Sequence, residues 1–241
     1  LLQQATLSFS GSNQYWNNAG SVRNQGLELE ISSTNIKNNK FEWTTSLNIS
    51  GNRNKLVSLG GIPYLYNYGE RNEIYAAIIG QPSVQFFGYK TDGVWTSQDE
   101  IDAAQNKGLT SNLSQYFQPG GLKIGVIVGN DTSDANDRVA FGNPFPDFTW
   151  GITNTFAYAG FDLTILIQGV QGGKLINGDA YYNETKKFNK NFNNNNRWVS
   201  AAHPGDGKTP YFTNGVDWML TDYVMEDASY AALRNIIIGY T

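Results

Sequence analysis

Aromatic residues outside the regular parts of the sequence are the side chains best suited to bind a ligand. Tyr64 and Tyr66 are two positions apart, and three of the tryptophans that follow also lie outside the regular parts. Aromatic faces stack on the apolar faces of sugars, and the many asparagines of residues 189–196 offer amides that both donate to and accept from hydroxyl groups. The ligand-binding residues predicted are Trp95, Tyr64, Tyr66, Trp198 and Trp218. An equally good interpretation is that these rings pack loops against each other or against a partner protein.

Groups suited to catalysis are few. The single histidine, His203, lies in a turn-rich stretch, and no nucleophile-elbow motif accompanies it. Asp99 and Glu100 are a carboxylate pair of the kind that glycosidases use. However, Ser97 and Glu100 have the spacing of a capping box, which predicts a short helix continuing through residues 101–105. We expect no catalytic residue and no enzyme activity.

Composition excludes several other classes of function. The 241 residues include 17 Lys and Arg against 21 Asp and Glu, for a net charge of −4, and no basic run, so nucleic acid is not an expected partner. Without cysteine, neither a disulfide framework nor a cysteine zinc site can form. No apolar stretch reaches the length of a membrane-spanning helix.

Alternation of apolar and polar residues, the period of a half-buried strand, dominates the rest of the chain. It is clearest where Phe41, Trp43, Leu47 and Ile49 share one side of a strand, whereas Asn154 is a polar misfit on an apolar side. The predicted strands are 5–11, 26–32, 41–52, 148–158, 161–168 and 229–241. The fold class is therefore all-β and antiparallel, either a β-sandwich or an outer-membrane β-barrel.

Connections between these strands are of two kinds. Residues 35–40 and Ala159-Gly160 are short turns, whereas 53–146 and 169–228 are long. Short turns on one side and long extracellular loops on the other are typical of an outer-membrane barrel. Within the first long connection, Asp92-Gly93 predicts a hairpin turn.

Aromatic residues concentrate at the strand ends and aliphatic residues at the strand centres. In a membrane barrel this pattern forms a lipid-facing band with aromatic rims. In a sandwich the same residues would line the inner face. The lipid-facing residues predicted are Phe41, Trp43, Leu47, Ile49, Trp150, Ile152, Phe161, Leu163, Ile165 and Ile167. About six strands cannot close a barrel, which needs at least eight, so the barrel interpretation requires a larger protein.

Three stretches, taken together and in order, resemble a known family. They are Gly88-Tyr89-Lys90-Thr91-Asp92-Gly93-Val94-Trp95; Asp137-Arg138 with Gly142-Asn143-Pro144 and Pro146-Asp147-Phe148-Thr149-Trp150-Gly151; and Phe161-Asp162-Leu163 with Gln168-Gly169. This combination is similar to the C-terminal barrel portion of SusC-like (SusC/RagA-type) TonB-dependent outer-membrane receptors. The resemblance spans nearly the whole chain.

The resemblance implies that residues 1–241 are a partial β-barrel domain of a larger 22-stranded barrel. The plug domain and the final closing strands are expected to be absent from the chain. It also implies the outer membrane of a Gram-negative bacterium, with membrane lipid, a SusD-like surface lipoprotein and TonB as partners. Such receptors import oligosaccharides, and some import peptides, without a chemical step or a cofactor.

Calcium is the one ion that the resemblance raises. Related receptors often carry an Asp-rich, calcium-loop-like stretch near this position, but here Val126 and Val128 interrupt it. Asp131, Asp134 and Asp137 remain, and carboxylate oxygens are calcium ligands. Their spacing does not fit a 12-residue calcium loop, so the favoured interpretation is a cluster of Asx turns.

Two other classes of function stay open at this point. A soluble secreted carbohydrate-binding β module would use the same aromatic rings on a domain that folds alone. A glycoside hydrolase would use carboxylates of the loops. The asymmetry of the connections, the aromatic rims and the resemblance favour the importer.

Overall fold

The structure, a computed structural model, describes residues 2–5, 14–17, 20–126, 131–183, 196–212 and 218–241. Strands dominate these residues, with two α-helices, α1 (Gln98–Gln105) and α2 (Ala180–Asn183), and three 3₁₀ helices, Ala135–Asp137, Trp218–Leu220 and Asp222–Val224. The strands are β1 (Leu2–Ala5), β2 (Gln14–Asn17), β3 (Gly20–Lys37), β4 (Phe41–Leu59), β5 (Tyr64–Tyr68), β6 (Ile74–Ile78), β7 (Gln85–Tyr89), β8 (Thr91–Val94), β9 (Thr110–Ser111), β10 (Leu122–Ile124), β11 (Thr132–Ser133), β12 (Arg138–Gly142), β13 (Phe148–Tyr158), β14 (Phe161–Gln171), β15 (Lys174–Ile176), β16 (Met225–Asp227) and β17 (Tyr230–Tyr240). No helix among these residues is both long and apolar enough to span a membrane.

Five long strands form one antiparallel sheet in the order β17-β14-β13-β4-β3, which we call the long sheet. Strands β3 and β4 have 18 and 19 residues, well beyond the five or six that are usual in globular proteins. Five of the six predicted strands are confirmed here, although β3 and β4 extend further than the alternation indicated. In the predicted strand 5–11, residues 6–11 lie outside the described residues, while Ala5 ends β1, which pairs with β2 in a separate sheet.

Register places all ten predicted lipid-facing residues on one face of the long sheet, the apolar face. Residues directly opposite each other on neighbouring strands share a face. Ile152 lies opposite both Leu47 and Ile167, and Leu29 lies opposite Ile49. Since side chains alternate along a strand, the intervening polar residues lie on the second face, the polar face.

A β-bulge shifts the alternation within the last strand, β17. Asn235 pairs with Leu166 but Leu233 pairs with Ile167, so Arg234 is an extra residue in β17. The bulge puts Leu233 on the same face as the β17 isoleucine that pairs with Ile165. Alternation alone would have assigned Leu233 to the polar face.

Asn154 sits on the apolar face with its side chain hydrogen-bonded. Trp43 Nε1 and Thr45 Oγ1 both donate to Asn154 Oδ1, at 3.0 and 2.7 Å, and Asn35 Nδ2 donates to Thr45 Oγ1 at 2.7 Å. A polar group in an apolar environment is costly only when it is unpaired. Asn154, the polar residue that interrupts the apolar pattern, is therefore part of a local hydrogen-bond network.

The two long connections, predicted as extracellular loops, contain regular structure and pack together into one unit. This unit, the loop module, comprises β5 to β12 with α1, β15, α2, β16 and the intervening described residues. It contains a four-stranded sheet in the order β12-β7-β6-β5 and three two-stranded sheets. Its strands are too short for alternation to reveal them.

Residues from both connections build the core of the loop module. Tyr89, Tyr116 and Leu122 from the first pack with Trp218 and Val224 from the second. Close backbone approach contributes too, because a Cβ on Gly88 would clash with the carbonyl oxygen of Leu220. The two long connections thus stabilise each other.

Local features of the loop module were only partly predictable. Helix α1 is confirmed, with Ser97 as N-cap accepting from the Glu100 N–H at 3.3 Å. The hairpin turn predicted at Asp92-Gly93 is wrong: both residues lie within β8, where pairing with β10 is irregular. Gly93 has φ +77°, which suits a bulge in the strand as well as a turn.

Candidate functional site

Three tyrosines of β5 and one phenylalanine of β7 form an aromatic surface, the tyrosine platform, consisting of Tyr64, Tyr66, Tyr68 and Phe87. The period-two spacing puts the three tyrosines on one face of the four-stranded sheet. Ring centroids are 4.8 Å apart between Tyr64 and Tyr66, and 4.7 Å apart between Tyr66 and Phe87. The rings of Tyr64, Tyr66 and Phe87 form a row that starts on the edge strand β5 and reaches the inner strand β7.

The tyrosine platform is open to solvent. Tyr64 is 52% exposed and Tyr68 is 63% exposed, whereas Phe87 is half-buried and stacks on Tyr66. Burial and the neighbouring Tyr64 raise the pKa of Tyr66, against a smaller opposing effect of Arg138, so its hydroxyl stays protonated at neutral pH. The platform combines apolar ring faces with a neutral hydroxyl donor, which is chemistry that a sugar or a peptide side chain recognises.

The three predicted tryptophans lie elsewhere, inside the loop module. Trp218 is 2% exposed, and its ring lies 5.9 Å from that of Tyr116 and 6.1 Å from that of Tyr211. Trp95 is also buried, with its ring edge-on to Phe117. Both rings pack the two connections against each other and leave little surface accessible, and ligand stacking by Trp95 or Trp218 stays a prediction.

Trp198 joins the two connections at the edge of this core. Its Nε1 donates to the carbonyl oxygen of Thr96 at 2.9 Å, and its ring is edge-on to Tyr211. The indole is half-buried, so part of it stays accessible. A ligand contact by Trp198 remains a prediction.

A charged pair covers the outer side of Trp95. Lys123 Nζ lies 5.2 Å from the centre of the Trp95 ring and forms an ion pair with Glu100. Burial acts to raise the pKa of Glu100, but hydrogen bonds from Lys123 and from Thr96 outweigh it and hold the pKa below its usual value. The pair therefore keeps a cation on the indole face, which is a stabilising arrangement.

Two of the predicted calcium candidates, Asp134 and Asp137, form hydrogen bonds within a turn. Asp134 caps the 3₁₀ helix 135–137 by accepting from the Asn136 N–H at 2.7 Å, and Asp137 accepts from the Asp134 N–H at 2.8 Å. Asp131 has a positive φ of 54°. Among the described residues, no group of three His, Cys, Asp or Glu side chains is placed to hold a metal ion.

Amides, hydroxyls and carboxylates line the polar face of the long sheet. Asn54 Nδ2 donates to Asn24 Oδ1 at 2.8 Å, and Ser50 Oγ donates to Glu28 Oε1 at 3.4 Å. A cleft of about 220 Å³ opens where Phe145 and its neighbours approach this face. Such a surface is suited to contact with water and polar solutes.

Comparison with known proteins identifies relatives in one class. The chain is 29% identical over 239 residues to the TonB-dependent receptor P26 of Formosa agariphila, covering 96% of the chain and 23% of the receptor. It is 23% identical over 233 residues to the TonB-dependent receptor SusC of Bacteroides thetaiotaomicron, covering 95% of the chain and 21% of SusC. The chain thus spans about a quarter of the length of such relatives. No protein-family model matches it.

Solved structures show the same fold. A chain of the RagAB peptide transporter superposes with a TM-score of 0.71 at 19% identity, covering 98% of this chain and 25% of that one. The RagAB peptide importer in its open-open state gives 0.70 at 19% identity, covering 99% and 24%. The chain is homologous to TonB-dependent receptors and shares the fold of the matched part of the RagAB transporter. The predicted resemblance to SusC-like receptors is confirmed, with SusC itself among the homologues.

Proposed function

We propose that this chain forms part of the barrel wall and extracellular surface of a TonB-dependent nutrient importer in the outer membrane of a Gram-negative bacterium. The observation that carries the proposal is the two-faced long sheet, apolar on one side and polar on the other, in a chain homologous to TonB-dependent receptors. The names of the relatives are those of receptors and transporters, which is consistent with a role without chemistry.

Exposure of the apolar face supports contact with lipid. Leu27 is 79% exposed and Ile238 is 73% exposed, and these residues flank a centre of half-buried aliphatic side chains. In a sandwich a second sheet would cover this face. Lipid tails supply the missing apolar environment, so the ten predicted lipid-facing residues keep that role in the proposal. The same exposure speaks against a soluble carbohydrate-binding module that folds alone.

The polar face then lines the water-filled side of the barrel, and the loop module stands on the extracellular side. We assign ligand contact to the tyrosine platform, because its rings are exposed while Trp95 and Trp218 are not. Oligosaccharides fit this surface through ring stacking, with peptides as the second candidate. A SusD-like lipoprotein over the loop module, and TonB acting through a part of the receptor outside this chain, complete the proposed mechanism of capture, closure and passage.

The face assignment is tested by cysteine labelling of the full-length protein in native outer membranes. This chain contributes no cysteine, and any cysteine elsewhere in the full-length protein is first replaced by serine, so each substitution gives a single label. Leu47→Cys on the apolar face should react with a lipid-soluble maleimide and resist a water-soluble one. Its neighbour Ser46→Cys, on the polar face, is the matched control and should show the opposite preference. Fast reaction of both positions with the water-soluble reagent would contradict the proposal.

The ligand assignment is tested by uptake. Tyr64→Ala with Tyr66→Ala should raise the oligosaccharide concentration needed for half-maximal uptake by about tenfold, because two stacking rings are lost. Tyr230→Ala removes an exposed tyrosine of β17, outside the loop module, and is the control. Unchanged oligosaccharide uptake together with impaired peptide uptake would identify peptides as the ligand instead.

A further inference from the structure

Above the apolar band, the outward face of the long sheet carries three basic residues. Successive opposite pairs on β3 and β4 are Leu27 with Gly51, Gln25 with Arg53, and Arg23 with Lys55. The register is regular over these pairs, so all of these residues lie on the apolar face. Arg23, Arg53 and Lys55 form what we call the basic cluster.

Two members of the basic cluster, Arg23 and Lys55, lie directly opposite each other on neighbouring strands. Arg23 and Lys55 face each other directly, which brings their Cβ atoms to about 5 Å, and like charges at that separation are destabilising. Both side chains are exposed, and neither belongs to an ion pair formed among the described residues. Arg53 differs, because its Nη1 lies 2.9 Å from Asp147 Oδ1. An anion between Arg23 and Lys55 would turn their repulsion into attraction.

The distance of Arg23 and Lys55 from the apolar band determines which anion can reach them. Arg23 and Lys55 lie four residues beyond Leu27, the last aliphatic side chain of β3 on this face. At 3.4 Å per residue and a strand tilt of 35–45°, that is about 10 Å above the apolar band. Headgroups occupy this layer of a bilayer, next to the hydrocarbon.

We propose that Arg23 and Lys55 bind a phosphate-bearing lipid headgroup of the outer leaflet. The inference rests on the proposed function, since it needs the apolar face to be embedded in lipid. Guanidinium and ammonium groups are the side chains that bind phosphate best, and Arg does so with two parallel hydrogen bonds. The site would anchor the barrel at a defined depth beside its own lipid.

The test uses the full-length protein in alkyl-maltoside micelles, which carry no phosphate, with added lipid A or dephosphorylated lipid A. Native mass spectrometry measures the glycolipid that stays bound. The parent should retain lipid A in preference to the dephosphorylated form, and Arg23→Gln with Lys55→Gln should weaken that retention about tenfold. Arg23→Lys should keep most of it. The control, Lys37→Gln with Lys40→Gln, removes two cations at the opposite end of the same strands and should retain lipid A as the parent does.

Three outcomes of this experiment would overturn the inference. Equal retention by the parent and the Arg23→Gln/Lys55→Gln variant, or equal retention of both glycolipids by the parent, would overturn it. Displacement of lipid A by inorganic phosphate at similar concentration would show a site for the free anion, not for lipid. Heat-modifiable mobility of the parent in outer membranes separates the two proposals: a parent that inserts but ignores lipid A overturns this inference alone, whereas one that does not insert overturns both.

Discussion

The long sheet exposes apolar side chains on one face, whereas the loop module buries apolar side chains in a core. The long sheet keeps Leu27 and Ile238 on an open face, whereas the loop module buries Trp218 and Tyr89 in a core of its own. Both come from one chain with the same bias towards aromatic residues. The difference shows that composition does not determine burial, because the surroundings of each region differ: lipid in the proposed assembly for one, water for the other.

The largest expected effect tests the core of the loop module. Trp218→Ala should cost about 3–5 kcal/mol, because it empties the centre of an aromatic cluster that nothing else can fill. Limited proteolysis and hydrogen exchange should show the loop module opening while the long sheet stays protected. Tyr68→Ala, at an exposed ring, is the control and should leave both regions unchanged. Opening of the long sheet as well would mean that the two regions fold as one unit.

The apolar face is tested by a buried charge. Ile165→Lys should destabilise the protein in the membrane by about 2–4 kcal/mol, as a lysine does near the bilayer midplane of a barrel. Thr164→Lys, one residue earlier on the polar face, should cost little. Urea titration of the full-length protein in lipid vesicles measures both. Equal tolerance at the two positions would remove the distinction between the faces.

The hydrogen-bond network around Asn154 gives a smaller effect. Asn154→Ala removes the acceptor of both Trp43 Nε1 and Thr45 Oγ1 and should cost about 1 kcal/mol. In a Trp43→Phe background the cost should fall, because one of the orphaned donors is gone. The same urea titration provides this double-mutant cycle. Additive effects would show that water reaches the two donors, which would contradict a lipid-facing position.

The smallest effect is a pH dependence confined to the loop module. Hydrogen bonds from Lys123 and Thr96 hold the pKa of Glu100 below 4.5, so the ionised carboxylate stabilises the folded state above that pH. This contribution should be lost as pH falls below about 4.5, and it is small because Glu100 is only half-buried. Hydrogen exchange across this pH range should show the loss in the parent and not in Glu100→Gln. Asp99→Asn, at the exposed neighbour, should behave as the parent does.

Much of the long sheet was predictable from the residues alone. Successive side chains of a strand point to opposite faces whatever the rest of the protein does, so the period-two pattern identified five strands and their apolar side. Helix α1 was predictable for a similar reason, since the hydrogen bond between Ser97 and Glu100 spans a single turn. The resemblance to SusC-like receptors likewise rested on the sequence.

Features that depend on contacts between residues far apart in the sequence were determined by the tertiary structure alone. The burial of Trp218, the row formed by Tyr66 and Phe87, and the opposition of Arg23 and Lys55 all follow from packing or register between separated segments. The bulge at Arg234 likewise appears only when β17 is paired with β14. Local sequence determines the periodicity of a strand or helix. Its neighbours are determined by long-range pairing, because many registers and core contacts are compatible with the same local pattern, and only the folded chain selects one of them.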